Sequence, residues 1–155
     1  MNINNKIKPI INKLKKRPEV LAVYLFGSSI HGKKGKLSDL DVGVIFYDPQ
    51  QILKEAKHSL KAYGELFDIF APLANILTGT ADKLDLVFLQ RTPLTLQKEV
   101  LLKGKLIYVK NQEKFLDYKE KTLLSYADLK PVINYFHQKI FERGIYGKKY
   151  LKTSS

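Results

Sequence analysis

The pattern that most constrains this chain is a short apolar run that halts at Gly27-Ser28-Ser29 and is followed, with ten residues between Ser28 and Asp39, by Asp39-Leu40-Asp41. Residues 20–26 are apolar throughout, rich in β-branched and aromatic types and stopped by a glycine, which is the pattern of a buried strand. Small residues at a strand end let a phosphate approach the backbone, and Ser28, Ser29 and the following amides can donate hydrogen bonds to it. The second run, 38–46, predicts another strand, on which residues two apart point the same way. Asp39 and Asp41 then share a face. Carboxylates held side by side repel unless a cation compensates, and hard oxygen ligands beside phosphates suit Mg²⁺. An isolated Asp-x-Asp is often only a solvated turn at a strand start. Coupling to a phosphate-friendly Gly-Ser favours the metal-binding reading here.

The tracts Gly27-Ser28-Ser29-Ile30-His31-Gly32 and Ser38-Asp39-Leu40-Asp41-Val42 resemble the signature of the DNA polymerase β-like nucleotidyltransferases, and their spacing is similar to that of the minimal nucleotidyltransferase (MNT) branch. One departure is His31, where many MNT relatives carry arginine. The resemblance implies an α/β chain with the polymerase β-like nucleotidyltransferase fold, a small mixed sheet flanked by helices, and a C-terminal helical extension. It implies a third carboxylate on a neighbouring strand facing the Asp-x-Asp pair, and Asp85, in the apolar run 83–89, matches that position. Asp82 reads as a turn residue. By the same resemblance Asp39, Asp41 and Asp85 are the catalytic and metal-holding acids for two Mg²⁺ ions about 3.5–4 Å apart, with Asp85 able to accept a proton from the attacking hydroxyl. Gly27, Ser28 and Ser29 would hold the triphosphate of ATP.

MNT antitoxins transfer AMP from ATP to a tyrosine of a cognate HEPN-domain ribonuclease toxin and so silence it. The resemblance therefore implies an adenylyltransferase whose partners are ATP and a HEPN toxin. The tract from Tyr126 to Pro131 is similar to one that MNT antitoxins carry after their core, which extends the likeness over nearly the whole chain. Two alternatives stay open: neutralisation by binding and occlusion alone, and transfer to a small molecule such as an aminoglycoside. Enzymes of the latter kind generally carry an added acceptor-binding domain that is not evident here. Templated polymerisation is disfavoured because the length leaves no room for a template-binding module.

Bulk properties bound this reading. At 155 residues one domain is expected, with a core at 1–110 and a helical extension at 111–155. The absence of cysteine excludes disulfides and thiolate metal sites. No apolar run approaches the roughly 20 residues that span a bilayer, and a cytoplasmic protein is expected. The formal net charge of +12 attracts polyanions, but no compact basic-aromatic motif marks direct nucleic-acid binding.

Apolar spacing predicts a helix over 3–16 that Pro9 confines or kinks, and a long helix over about 50–77 that Gly64 or Pro72 breaks, with Ile52, Ala56, Leu60, Tyr63, Phe67, Phe70, Ala74 and Leu77 facing the core. A helix opening at Thr92-Pro93 closes at Gly104, and 106–109 forms a last strand. The segment 113–143 is helical by pattern, interrupted at Pro131, and its many aromatics make it the expected partner surface. The loop lysines Lys33, Lys34 and Lys36 either approach a triphosphate or are merely solvated; the sequence singles out none of them.

Overall fold

A computed structural model describes residues 3–27 and 39–143. Ser28, Ser29, His31, Lys33, Lys34, Lys36 and the tail beyond Arg143 lie outside the described residues. The elements run α1 (Ile3–Leu14), β1 (Val20–Phe26), β2 (Leu40–Phe46), α2 (Pro49–Leu53), α3 (Ala56–Thr78), β3 (Leu84–Phe88), α4 (Leu94–Lys103), β4 (Lys105–Val109) and α5 (Gln112–Arg143). They build the expected α/β architecture, a mixed sheet in the order β3-β2-β1-β4, with β1 antiparallel to both β2 and β4 and β2 parallel to β3.

Strand alternation sorts the side chains onto two faces. Val23, Leu25, Val42, Val44 and Leu86 pack against Ile7, Ile10 and Leu14 of α1 and Leu66, Phe70 and Leu73 of α3. Ala22, Tyr24 and Ile45 point the other way, onto Val100 and Leu101 of α4 and Phe115 of α5. Removal from water of a side chain as fully buried as Leu66 or Phe70 stabilises by about 1.5–3 kcal/mol each.

Three expectations about helices are corrected. Pro9, Pro72 and Pro131 all lie inside helices without ending them. A proline removes the bond to the carbonyl four residues back, at a cost of about 3 kcal/mol in an average interior. Here those carbonyls belong to Asn5, Asp68 and Ala127, all exposed residues on the outer sides of their helices. The break in the long helical pattern falls instead at Lys54-Glu55, between α2 and α3. Carbonyls released there find other donors: Ser59 Oγ donates to Ile52 O at 2.9 Å, and the Arg91 guanidinium donates to Leu53 O at 2.7 Å and to Ser59 Oγ at 2.9 Å. The buried stripe of α3 is rotated from the expected one, running through Ser59, Ala62, Leu66, Phe70, Leu73 and Ala74. Leu60 is left 72% exposed. With Ser59 and Ala62 on the buried side, Leu60 lies on the outer side of the helix.

The end of α3 sets where β3 begins. Gly79 takes φ +93° and donates its N–H to Asn75 O at 3.0 Å, while buried Thr78 donates its hydroxyl to Ala74 O at 2.7 Å. The chain reverses there and enters β3 five residues later, at Leu84. At the other end of the chain α5 buries only Phe115 and Thr122. Tyr118 is partly buried against the α4 cluster, whereas Tyr135, Phe136 and Phe141 of its distal half are exposed. Among the described residues, no helix is long and apolar enough to cross a membrane.

Candidate active site

Asp41 lies in the ladder between Phe26 of β1 and Asp85 of β3, as its paired residue in both directions. Its strand neighbours Leu40 and Val42 belong to the α1–α3 side of the sheet, as do Leu84 and Leu86 around Asp85. Both carboxylates therefore project to the opposite side, where they stand next to each other on adjacent strands. β2 starts at Leu40 rather than at residue 38, so Asp39 sits just ahead of the strand, exposed, with its charge still acting on Asp41.

Gly27 closes the group from the β1 side. It takes φ +64°, a conformation side chains rarely adopt, and a Cβ placed on it would stand 2.2 Å from Asp41 Oδ2. No residue larger than glycine leaves the carboxylate where it is. The structure thus brings Gly27, Asp41 and Asp85 together, with Asp39 alongside, whereas Ser28 and Ser29 lie outside the described residues. The Phe26 ring was not singled out by sequence reasoning, although it bounds the same corner: a Cβ on Gly43 would come within 3.4 Å of it. A glycine in the middle of an apolar strand was the available signal for that close approach.

The electrostatics of the cluster are those of crowded acids. Burial pushes the Asp41 carboxyl up to about 6, and the negative charges of Asp85 and Asp39 and a hydrogen bond with Asp85 push in the same direction. A hydrogen bond between two carboxyl groups requires a proton on one of them. Among the described residues, no group of three or more His, Cys, Asp or Glu side chains is already gathered to hold a metal ion. The donor chemistry nonetheless suits a hard divalent cation, because the repulsion that raises Asp41 is what such an ion relieves.

The raised value has a sign that can be measured. Between the ordinary 3.8 and about 6 the folded chain holds a proton on Asp41 that the unfolded chain has released. Protonation of Asp41 thus favours folding as pH falls through that window, and its charge opposes folding above it. In EDTA, Asp41→Asn is expected to melt at a higher temperature than the parent at pH 7.5, with the two curves converging toward pH 4. Equal melting temperatures at pH 7.5 would show that Asp41 is not strained by its neighbours.

A family model described as "Polymerase beta, Nucleotidyltransferase" matches residues 8–113. Comparison with curated proteins gave no match. Among solved structures, the chain is similar to a crystal structure of a toxin–antitoxin with AMP-PNP, with a TM-score of 0.62 and 25% identity over 88% of this chain and 97% of that one. It is similar to a mutant form of an MntA toxin–antitoxin complex to the same degree, covering 90% of this chain and 98% of that one. A complex of tri-AMPylated Shewanella oneidensis HEPN toxin with MNT antitoxin shares the fold, with a TM-score of 0.58 and 21% identity over 88% and 94% of the two chains.

Proposed function

This chain belongs to the polymerase β nucleotidyltransferase family, and we propose that within it the protein is an MNT-type antitoxin that transfers AMP from ATP to a tyrosine of a cognate HEPN ribonuclease toxin. The observation that carries the reading is the meeting of Gly27, just past the end of β1 and in contact distance of the Asp41 carboxylate, with the Asp41–Asp85 pair on adjacent strands. The similar structures supply the acceptor class, since one such complex was solved with an ATP analogue and another holds a HEPN toxin carrying AMP.

In this reading the backbone at Gly27 and the hydroxyls of Ser28 and Ser29 hold the triphosphate and orient its α-phosphorus. Asp39, Asp41 and Asp85 are the groups that would hold two Mg²⁺ ions, whose charge would neutralise the phosphates and lower the pKa of the acceptor hydroxyl. Asp85, on the outer strand of the sheet, faces the side from which a protein acceptor can enter, and its carboxylate takes the tyrosine proton as the oxygen attacks. The products are tyrosyl-AMP and pyrophosphate. Most of the rate gain is positioning and charge neutralisation, as in other phosphoryl transfers.

The exposed distal half of α5, with Tyr135, Phe136 and Phe141, is the surface we place against the toxin, in an extension that begins at residue 111. That same surface favours a second reading, in which covering the toxin is enough to silence it. Co-expression with the HEPN protein followed by intact-mass measurement separates the two. Added AMP units that disappear with Asp39→Asn are expected; a toxin that is silenced yet unmodified would support occlusion instead.

A further inference from the structure

A cavity of about 210 Å³ opens on the far side of Gly27 from the acids, lined by Phe26, Gly27, Leu96, Glu99, Val100, Lys103 and Gly104. Its position follows from the sheet. β1 lies between β2, which carries Asp41, and β4, whose Lys105 pairs with Leu25. α4 ends at Lys103, two residues before that pair, so its last turn stands at the end of β1, where Phe26, Gly27, Lys103 and Gly104 line the same cavity. Gly104 permits the approach, since a Cβ there would stand 2.5 Å from the Val100 carbonyl oxygen and 2.9 Å from the Tyr24 ring. Of the α4 side chains that line it, Leu96, Glu99, Val100 and Lys103, only Lys103 carries a positive charge.

The charges around it are unequal in number. Glu99 is contacted by two lysines, Lys98 at 3.0 Å and Lys103 at 3.1 Å. Lys98 is the more enclosed of the two, with its ammonium 5.1 Å from the centre of the Tyr126 ring on α5, and it holds Glu99 Oε1 while Lys103 holds Oε2. Lys103 has a side chain 67% exposed and a flexible stem. It can leave Glu99 without stranding an unpaired carboxylate. A lysine in the last turn of a helix with a glutamate four residues earlier also stabilises that helix slightly, but this accounts for neither the cavity nor the second cation.

Building on the reading of Gly27 as a phosphate contact, we propose that Lys103 is a further nucleotide-binding residue, and that the cavity receives the terminal phosphates of a nucleoside triphosphate. The ammonium exchanges Glu99 for the more highly charged β- and γ-phosphate oxygens. The arrangement distinguishes triphosphate from monophosphate: the α-phosphate stays with the acids, and only a longer tail reaches Lys103. It also orients the pyrophosphate leaving group away from Asp85.

The test is calorimetric titration of a non-hydrolysable ATP analogue and of AMP, each with Mg²⁺, into the parent protein, Lys103→Ala and Lys103→Arg. Lys103→Ala is expected to weaken the triphosphate about tenfold, the loss of one charge-assisted contact, and to leave AMP unchanged, whereas Lys103→Arg retains most of the affinity. A helix-stabilising role alone would lower the melting temperature and leave the triphosphate-to-monophosphate ratio intact. Parent-like analogue affinity in Lys103→Ala overturns this inference alone. A parent protein that binds neither nucleotide overturns it together with the reading of the site.

Discussion

Replacing Asp39 and Asp41 together by Asn is expected to lower AMP transfer by at least about 10²-fold while leaving the fold intact. The substitution preserves shape and removes charge. Because Asp41 is already pushed toward its neutral form by burial and by Asp85 and Asp39, a neutral side chain relieves the folded state rather than breaking it. Loss of transfer in a protein that melts no lower than its parent therefore isolates the chemistry. Label transfer from radioactive ATP to the purified partner, with circular dichroism on the same samples, measures both. Full activity in the double variant would falsify the assignment of these acids. Asp85→Asn is expected to slow transfer comparably and to spare nucleotide binding more, as a group whose main work is accepting the acceptor's proton would do.

Gly27→Ala is expected to fail in two separable ways. The left-handed backbone alone costs a non-glycine residue about 1–2 kcal/mol, and the new methyl would lie 2.2 Å from Asp41 Oδ2, so the carboxylate must move as well. A displacement of about 1 Å at a reacting centre costs on the order of 10²-fold in rate. Combining Gly27→Ala with Asp41→Ala tells the two effects apart. The steric part of the stability loss is expected to vanish in the double variant, leaving the backbone part, while transfer stays low. Strictly additive stability losses would show that the glycine and the carboxylate do not press on each other.

What the sequence made legible follows from how local each feature is. β1 is bounded by its own composition, Val20 to the glycine after Phe26, and the strands around Asp41 and Asp85 are found by the same apolar runs. The prolines misled because their cost depends on where in the fold each falls, and that is decided by packing: the residues four positions back, Asn5, Asp68 and Ala127, are all exposed. The break after α2 was invisible for a similar reason, since the donor that settles the freed Leu53 carbonyl is Arg91, far along the chain. In the site, residue types and spacing pointed to Gly27 and Asp41, and the family resemblance to Asp85. The contact between Gly27 and the Asp41 oxygen, and the pairing of Asp41 with Asp85, depend on strand register, which short apolar runs leave free to slip.

The parallel pairing of β2 with β3 also bears on when the site can exist. Antiparallel β1 and β2 are near neighbours in the chain, so Gly27 and Asp41 can meet through a short closure. A parallel pair admits no hairpin, and the polypeptide must travel back along α3 before Leu84 can lie beside Leu40. The entropy of closing that longer loop is recovered only when Leu66, Phe70 and Leu73 are packed. The contact of Gly27 with Asp41 and the pairing of Asp41 with Asp85 therefore depend on chain closures of very different length. A nascent chain that has not yet exposed Asp85 to solution carries half a site, and acquires the other half only through the element that completes its core.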